Sequence, residues 1–225
     1  MGINGQFFSA IIPAAGSGDR LAAAIPKALV LINGKTLIER AVQSILPHVA
    51  EIIIAAPKGF ELEILGLFSD NEKIKVICGG EVRSKSVAAA LSEVDKNADY
   101  ILVHDAARCF ATEAQTMRVI DALLAGDHAV VPGIEVIDTI KVINSSNFAE
   151  STPKRSTLRA VQTPQGFSAR ILHRAHESGN DATDDAALVE ALGIPVRVVA
   201  GEVNAHKITT PSDLEWAKRL AETNE

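Results

Sequence analysis

The sequence predicts an α/β protein, with a mainly parallel sheet sandwiched between two layers of helices and a β-arm projecting from it. Continuous apolar runs alternate with longer segments of helical period, and an alternating β-branched stretch breaks that rhythm after Pro132. The chain has 225 residues, 47% hydrophobic and 22% charged. That suffices for one well-buried domain over residues 1–225 and is too short for two full ones.

Residues 8–15, 51–56, 73–78, 100–104 and 129–132 read as buried strands, because apolar side chains occupy successive positions in each. Between them, residues 36–46, 84–94 and 113–125 place apolar residues at helical spacing. Right-handed crossovers then bring the carboxyl ends of the strands, and the loops leaving them, to one ligand-binding edge. In the arm, residues 134–143 alternate, 144–150 form a polar turn and 156–162 return as a partner strand. An arm over 134–162 cannot bury both faces alone, so the expectation is a dimerisation arm and a homodimer; a lid folded on its own domain is the competing reading. Helices follow at 169–177 and 184–192, then a strand at 196–199 and a last helix capped by Ser212.

Composition excludes several classes. No apolar run is long enough to cross a bilayer, and residues 1–6 lack the basic start of a signal peptide, so a cytoplasmic protein without a membrane role is expected. A formal charge of −6 argues against nucleic acid as a partner. Cys78 and Cys109 form no CxxC or Cys/His cluster and read as free structural thiols.

The chemistry begins in the loop after the first strand, Pro13-Ala14-Ala15-Gly16-Ser17-Gly18-Asp19-Arg20, with Pro26-Lys27 behind it. Its glycines allow backbone N–H groups to approach a phosphate. A dinucleotide fingerprint fails at Leu21 and a Walker A loop fails at Leu29, where each needs glycine. A plain tight turn competes; Arg20 and Lys27 favour phosphate, because they put cations where charge develops during transfer. Asp105 follows an apolar strand at the ligand edge, where a carboxylate can hold Mg²⁺ or cap the next helix. His104 reads as a packed neighbour and Asp184-Asp185 as a helix start. Lys207 follows a short strand and should reach the same edge.

Together these residues resemble a known family. Pro13-Ala14-Ala15-Gly16-x-Gly18-x-Arg20 with Pro26-Lys27 is similar to the signature of nucleotidyltransferases that activate sugars and polyols. Gly79-Gly80-Glu81-x-Arg83-x-x-Ser86-Val87, Val103-His104-Asp105-Ala106-Ala107-Arg108, Asp138-Thr139-Ile140-Lys141, Gln162-Thr163-Pro164-Gln165-x-Phe167, Thr183-Asp184-Asp185-Ala186 and Lys207-Ile208-Thr209 follow in order. They resemble the 2-C-methyl-D-erythritol 4-phosphate cytidylyltransferases of the non-mevalonate isoprenoid pathway, and they span nearly the whole chain.

The resemblance implies a Rossmann-like fold and transfer of CMP from CTP to 2-C-methyl-D-erythritol 4-phosphate, with Mg²⁺ or another divalent cation. It implies that Ala14, Ala15 and Gly16 hold the nucleotide, that Gly80, Glu81 and Ser86 enclose cytosine and ribose, and that Arg20 and Lys27 stabilise the transition state. For Ser86 the other reading is a helix-start hydroxyl bonding backbone. Arg83 is read as bracing its loop or lying near phosphate, and Arg108 as a contact or as a salt-bridge partner for the Asp105 loop. Asp105 sits by metal and acceptor, Lys207 meets the α-phosphate or positions the acceptor, and Thr139 and Arg155 reach the acceptor phosphate from a second subunit. The chain departs from the common pattern at Ala28, Glu81, Cys109 and Ala205, none of which removes one of these charges. The rivals are a ribitol 5-phosphate cytidylyltransferase, a sugar-1-phosphate nucleotidyltransferase and a non-catalytic nucleotide-binding regulator.

Overall fold

A computed structural model describes residues 3–16, 18, 21, 25–177, 179 and 182–224. At its centre β1 (Phe8–Pro13) and β4 (Glu51–Ala56) pair in parallel, with Ile11 opposite Ile53 and Ile12 opposite Ile54. β4 also pairs in parallel with β5 (Ile74–Cys78), and β1 with β6 (Tyr100–Val103). Along β4, Ile52, Ile54 and Ala56 enter one core, while Ile53 and Ala55 enter the other. Side chains that alternate between two buried faces leave no polar position, which is why the run is continuously apolar.

Helices cover both faces. α1 (Leu37–Gln43), α2 (Glu61–Gly66) and α4 (Glu113–Leu124) send Ile38, Val42, Ile64, Val119 and Ile120 into the first core. α3 (Arg83–Leu91), α5 (Ala169–Glu177) and α6 (Asp185–Glu190) send Val87, Leu91, Leu172 and Val189 into the second. Each such side chain contributes roughly 1.5–3 kcal/mol on burial, so the two layers are held mainly by these contacts. This is the three-layer α/β fold with a mostly parallel sheet that the sequence predicts.

α1 starts on a reciprocal cap: the Thr36 hydroxyl accepts from the Glu39 N–H at 3.2 Å, and the Glu39 carboxylate accepts from the Thr36 N–H at 2.7 Å. The helix expected over 36–46 stops at Gln43, and a 3₁₀ turn carrying Pro47 follows at Leu46–His48. The short strands β2 (Leu31–Ile32) and β3 (Lys35–Thr36) and the last helix, α7 (Pro211–Asn224), close a third cluster around Ile32, Leu37, Cys109, Ile208 and Ala217. Ser212 is not the α7 cap. Pro211 takes the first helical position, as its missing N–H allows, and the Thr210 hydroxyl accepts from the Asp213 N–H at 3.2 Å. Of the two thiols, Cys109 is buried and structural, whereas Cys78 is exposed.

The far side of the sheet is mixed. β11 (Gln165–Ser168) lies antiparallel between β6 and β7 (Ala129–Glu135), and β12 (Arg197–Ala200) runs parallel to β7. β10 (Arg159–Val161) pairs antiparallel with Gly133–Glu135 on the β11 side of β7, so β10 and β11 are two pieces of one strand broken at 162–164. The strands expected over 134–143 and 156–162 are therefore redrawn. Ile134 and Glu135 belong to β7, and the returning strand pairs with β7 itself. Between them the chain forms a short hairpin, β8 (Val142–Ile143) against β9 (Ala149–Ser151), with both strands exposed, and a 3₁₀ turn at Arg155–Thr157. No helix among the described residues is long and apolar enough to cross a membrane.

Candidate active site

Strands β4 and β5 lie on one side of β1 and β6 on the other, so the loops leaving β1 and β6 part where the strand order reverses. A cavity of about 370 Å³ opens there. Ala14, Ala15 and Gly16 from the first loop, Gly80, Glu81 and Ser86 after β5, and Asp105 after β6 all line it, as do Lys27 and Lys207. Arg20 lies outside the described residues.

Close backbone approach shapes the cavity. A Cβ on Gly79 would stand 2.5 Å from the Ala15 Cβ, so only glycine lets the loop after β5 press against the first loop. Gly18 has φ +73°, and a Cβ there would meet the Lys27 Cβ at 2.7 Å. The turn thus folds Lys27 back onto the loop, and its ammonium donates to the Ile208 carbonyl at 2.9 Å. Ser86 is buried; its hydroxyl accepts from the Gly80 N–H at 3.1 Å and lies 3.2 Å from the Gly80 carbonyl and 3.1 Å from that of Val82. It therefore shapes the Gly80–Val82 turn from within the helix start. The Glu81 carboxylate is exposed and pairs with Lys85 at 3.3 Å.

Asp105 is the centre of charge. Arg83 Nε donates to its Oδ1 at 3.0 Å and Lys207 Nζ to its Oδ2 at 2.7 Å. Burial alone would raise the Asp105 carboxyl, but Arg83 and Lys207 outweigh it and hold the group well below the usual carboxylate range. Arg83 in turn forms an ion pair with Asp185 at 2.7 Å; burial opposes its charge, and the two carboxylates raise its pKa above the ordinary guanidinium value. Arg83 thus braces the Asp105 loop. Arg108 does not pair with Asp105. It donates to the carbonyls of Ala205 at 2.9 Å and Val161 at 3.1 Å, tying the last loop to β10.

His104 is fully buried, and its Nδ1 lies 2.9 Å from the Thr163 hydroxyl, which accepts from the Asp105 N–H at 3.0 Å. Burial pushes the imidazole down to about 4. Thr163, at the break between β10 and β11, was not singled out by sequence, nor was the inward role of Asp185; both sat within motifs whose spacing gives no hint of the partner. Asp184 starts α6, its carboxylate accepting from the Ala187 N–H at 2.9 Å.

A second cavity of about 170 Å³ shares Arg83, Asp105 and Lys207 with the first and adds Arg108, Thr163 and Thr183. Thr139 and Arg155 line neither cavity. Both are exposed, and the Arg155 guanidinium donates to the Ile137 carbonyl of its own segment.

The arrangement offers a close-packed first-loop backbone, several cations and one anchored carboxylate, the equipment of phosphoryl-type transfer. Comparison with known proteins gives the chain's family. The family profile for 2-C-methyl-D-erythritol 4-phosphate cytidylyltransferase, IspD, matches residues 8–222. A relative of that name from Nocardia farcinica is 44% identical over 216 residues, covering 95% of this chain and 92% of the relative. The crystal structure of 4-diphosphocytidyl-2C-methyl-D-erythritol synthase from Anaerococcus prevotii superposes with a TM-score of 0.86 at 30% identity, over 97% of this chain and 99% of that one. That of the Thermus thermophilus cytidylyltransferase superposes with a TM-score of 0.80 at 36% identity, over 96% of this chain and 100% of that one. The chain belongs to the 2-C-methyl-D-erythritol 4-phosphate cytidylyltransferase family.

Proposed function

We propose that this chain performs its family's reaction at the cavity between β1 and β6: transfer of CMP from CTP to 2-C-methyl-D-erythritol 4-phosphate, with release of pyrophosphate, in the non-mevalonate route to isoprenoids. The observation that carries the assignment of the site is the meeting of Lys27, Arg83 and Lys207 with Asp105 beside the backbone of Ala14, Ala15 and Gly16 in one cavity. A phosphate oxygen of the acceptor attacks the α-phosphorus in line; the bond to the β-phosphate oxygen breaks, and pyrophosphate leaves with its electron pair. The attacking oxygen is already ionised near neutral pH, so no protein base is needed.

The protein's part is positioning and charge neutralisation. Backbone groups of the first loop hold the phosphates, Lys27 and Arg20 neutralise charge as it moves, and Lys207 stands between the two cavities. The smaller cavity, beside Asp105, suits the acceptor. Among the described residues no three acidic, histidine or cysteine side chains gather to hold a metal. One carboxylate plus substrate phosphates is nevertheless a set that Mg²⁺ uses, and each Asp105 oxygen keeps a lone pair beyond its single bond. The residues therefore fit a divalent cation that arrives on the triphosphate. Bound there, Mg²⁺ would offset phosphate charge, with Asp105 as its protein ligand.

The acceptor site is proposed to be completed in a homodimer. Ile137 is 84% exposed and Phe148 71% exposed on the segment that carries Thr139 and Arg155, so a partner subunit offers both burial for the apolar groups and phosphate for the cation. The cytoplasm, where CTP is made, is the proposed compartment. The test is pyrophosphate release from CTP and Mg²⁺ across a panel of polyol phosphates. Turnover fastest with 2-C-methyl-D-erythritol 4-phosphate is expected; faster turnover with ribitol 5-phosphate would overturn the acceptor, and no release with any member would overturn catalysis.

A further inference from the structure

Asp185 takes no part in the reaction described above and lines neither cavity, yet it is a carboxylate only 1% exposed. Its neighbour Asp184 caps α6, so Asp185 is left free to face inward. There its Oδ2 meets Arg83 Nη1 at 2.7 Å, and its Oδ1 lies 2.9 Å from His176 Nε2, near the end of α5. Burying a carboxylate this completely is costly unless it is paired on both sides, as here. The chain spends that cost on one guanidinium at the start of α3, whose other edge holds the Asp105 carboxylate at 3.0 Å.

We propose that Asp185 is a positioning residue for cytidylyl transfer: it fixes the plane of the Arg83 guanidinium, and through it the Asp105 carboxylate that Lys207 also meets. The proposal rests on the cavity between β1 and β6 being the reaction site. A single bond from Nε to Asp105 leaves the guanidinium free to turn about that bond. The Asp185 carboxylate, 2.7 Å from Nη1 as an ion pair, opposes that turning by charge. Neither Nη2 nor Asp185 Oδ2 has a hydrogen-bond partner among the described residues, so the hold of Asp185 on the guanidinium is electrostatic. Asp185 also balances charge. Arg83 stands between two carboxylates, and with one of them gone, nucleotide phosphate in the cavity would compete with Asp105 for the guanidinium. His176 holds the far oxygen of Asp185 from α5, so the chain of contacts runs from the helical layer into the site.

The test is a double-mutant comparison on the full-length protein, reading kcat and the KM for CTP. In the wild-type background Asp185→Asn should lower kcat about tenfold and move KM less than about twofold, since Asp185 orients Arg83 and Asp105 without touching substrate. In the Arg83→Gln background the same change should cost less than about twofold, because the group it positions is already gone. A purely structural role would give equal losses in both backgrounds, and that outcome, or an unchanged kcat, would overturn the proposal. If Asp185→Asn does not fold, Asp185→Glu, which keeps the charge and moves it by one methylene, is measured in the same two backgrounds with the same two outcomes. Wild-type turnover, measured alongside, separates failure of this proposal from failure of the reaction assignment.

Discussion

The Lys27 ammonium donates to the Ile208 carbonyl at 2.9 Å, which ties the first ligand-edge loop to the last. The neighbouring residue, Lys207, holds Asp105 from the same turn. The turn is itself fastened to α7, because the Asp213 carboxylate accepts from the N–H groups of Thr209 and Thr210, each at 2.8 Å. Two lysines far apart in sequence are therefore aimed by one turn, and both ammonium groups are held by protein contacts. Such preorganisation is what lets a charge act on the transition state without reorganising first.

Lys27→Ala should therefore lower kcat by about 10²–10³, the scale for losing one preorganised donor. CTP affinity should change much less, since the phosphate contacts proposed for the first-loop backbone remain. Steady-state kinetics with CTP varied at saturating acceptor checks this. A raised KM with intact kcat would mean that Lys27 only binds.

For Asp105→Asn the expectation is a folded protein whose activity has lost its Mg²⁺ response. Arg83 keeps Asp185 as a partner and Lys207 is partly exposed, so neither cation is stranded in the core. Circular dichroism reports the fold, and a Mg²⁺ titration of initial rate reports the role. An unchanged Mg²⁺ midpoint and amplitude would remove Asp105 from the metal.

His104 makes stability depend on pH. Burial, with Arg108 adding to it and Asp105 opposing, lowers the imidazole from 6.5 to about 4. Between those values the unfolded chain binds the proton and the folded one does not. The contribution is therefore complete above pH 6.5 and is lost as pH falls toward 4, to an extent of roughly 3 kcal/mol. Burial also works against Asp105 and Asp213, but the cations around the first and the hydrogen bonds on the second hold both below the usual carboxylate range. Their shares go only at more acid pH. Urea unfolding in EDTA at pH 7.5 and pH 4.5 should show a smaller pH difference in His104→Gln than in wild type; equal differences would exclude His104 as the source.

The parallel half of the sheet was legible because both of its faces are buried, so Ile52, Ile53 and Ile54 had to be apolar together. β11 was not, because Gln165-Gly166-Phe167-Ser168 contains one large apolar side chain and becomes a strand through pairing with β6 and β7. The site cations were legible as charges following strands or glycines. The link from Asp185 to Arg83 was not, since an aspartate pair before an apolar helix reads equally as a cap, and only Asp184 is one. The alternation over 134–143 misled in a different way. Its first residues complete β7, while Ile137, Ile140, Val142 and Ile143 stay exposed; a period of two marks a face to be covered without saying by what.

That uncovered face leads to the last prediction, a two-fold homodimer in which the exposed segment that carries Thr139 and Arg155 completes the partner's acceptor site. Self-complementary contact about a two-fold axis closes on itself and suits a stable dimer. Arg155 would then act in trans on the acceptor phosphate, while Lys27 acts in cis on CTP. Arg155→Ala and Lys27→Ala subunits, each inactive alone, test the geometry when mixed. In a mixed dimer one site receives both lesions and the other receives neither. Random exchange of equal amounts makes half the dimers mixed, so activity should return to about a quarter of the wild-type level. Exchange is verified independently by native mass spectrometry of differently tagged subunits. No recovery after verified exchange would put Arg155 in its own subunit's site, and a monomer at working concentration would remove the partner altogether.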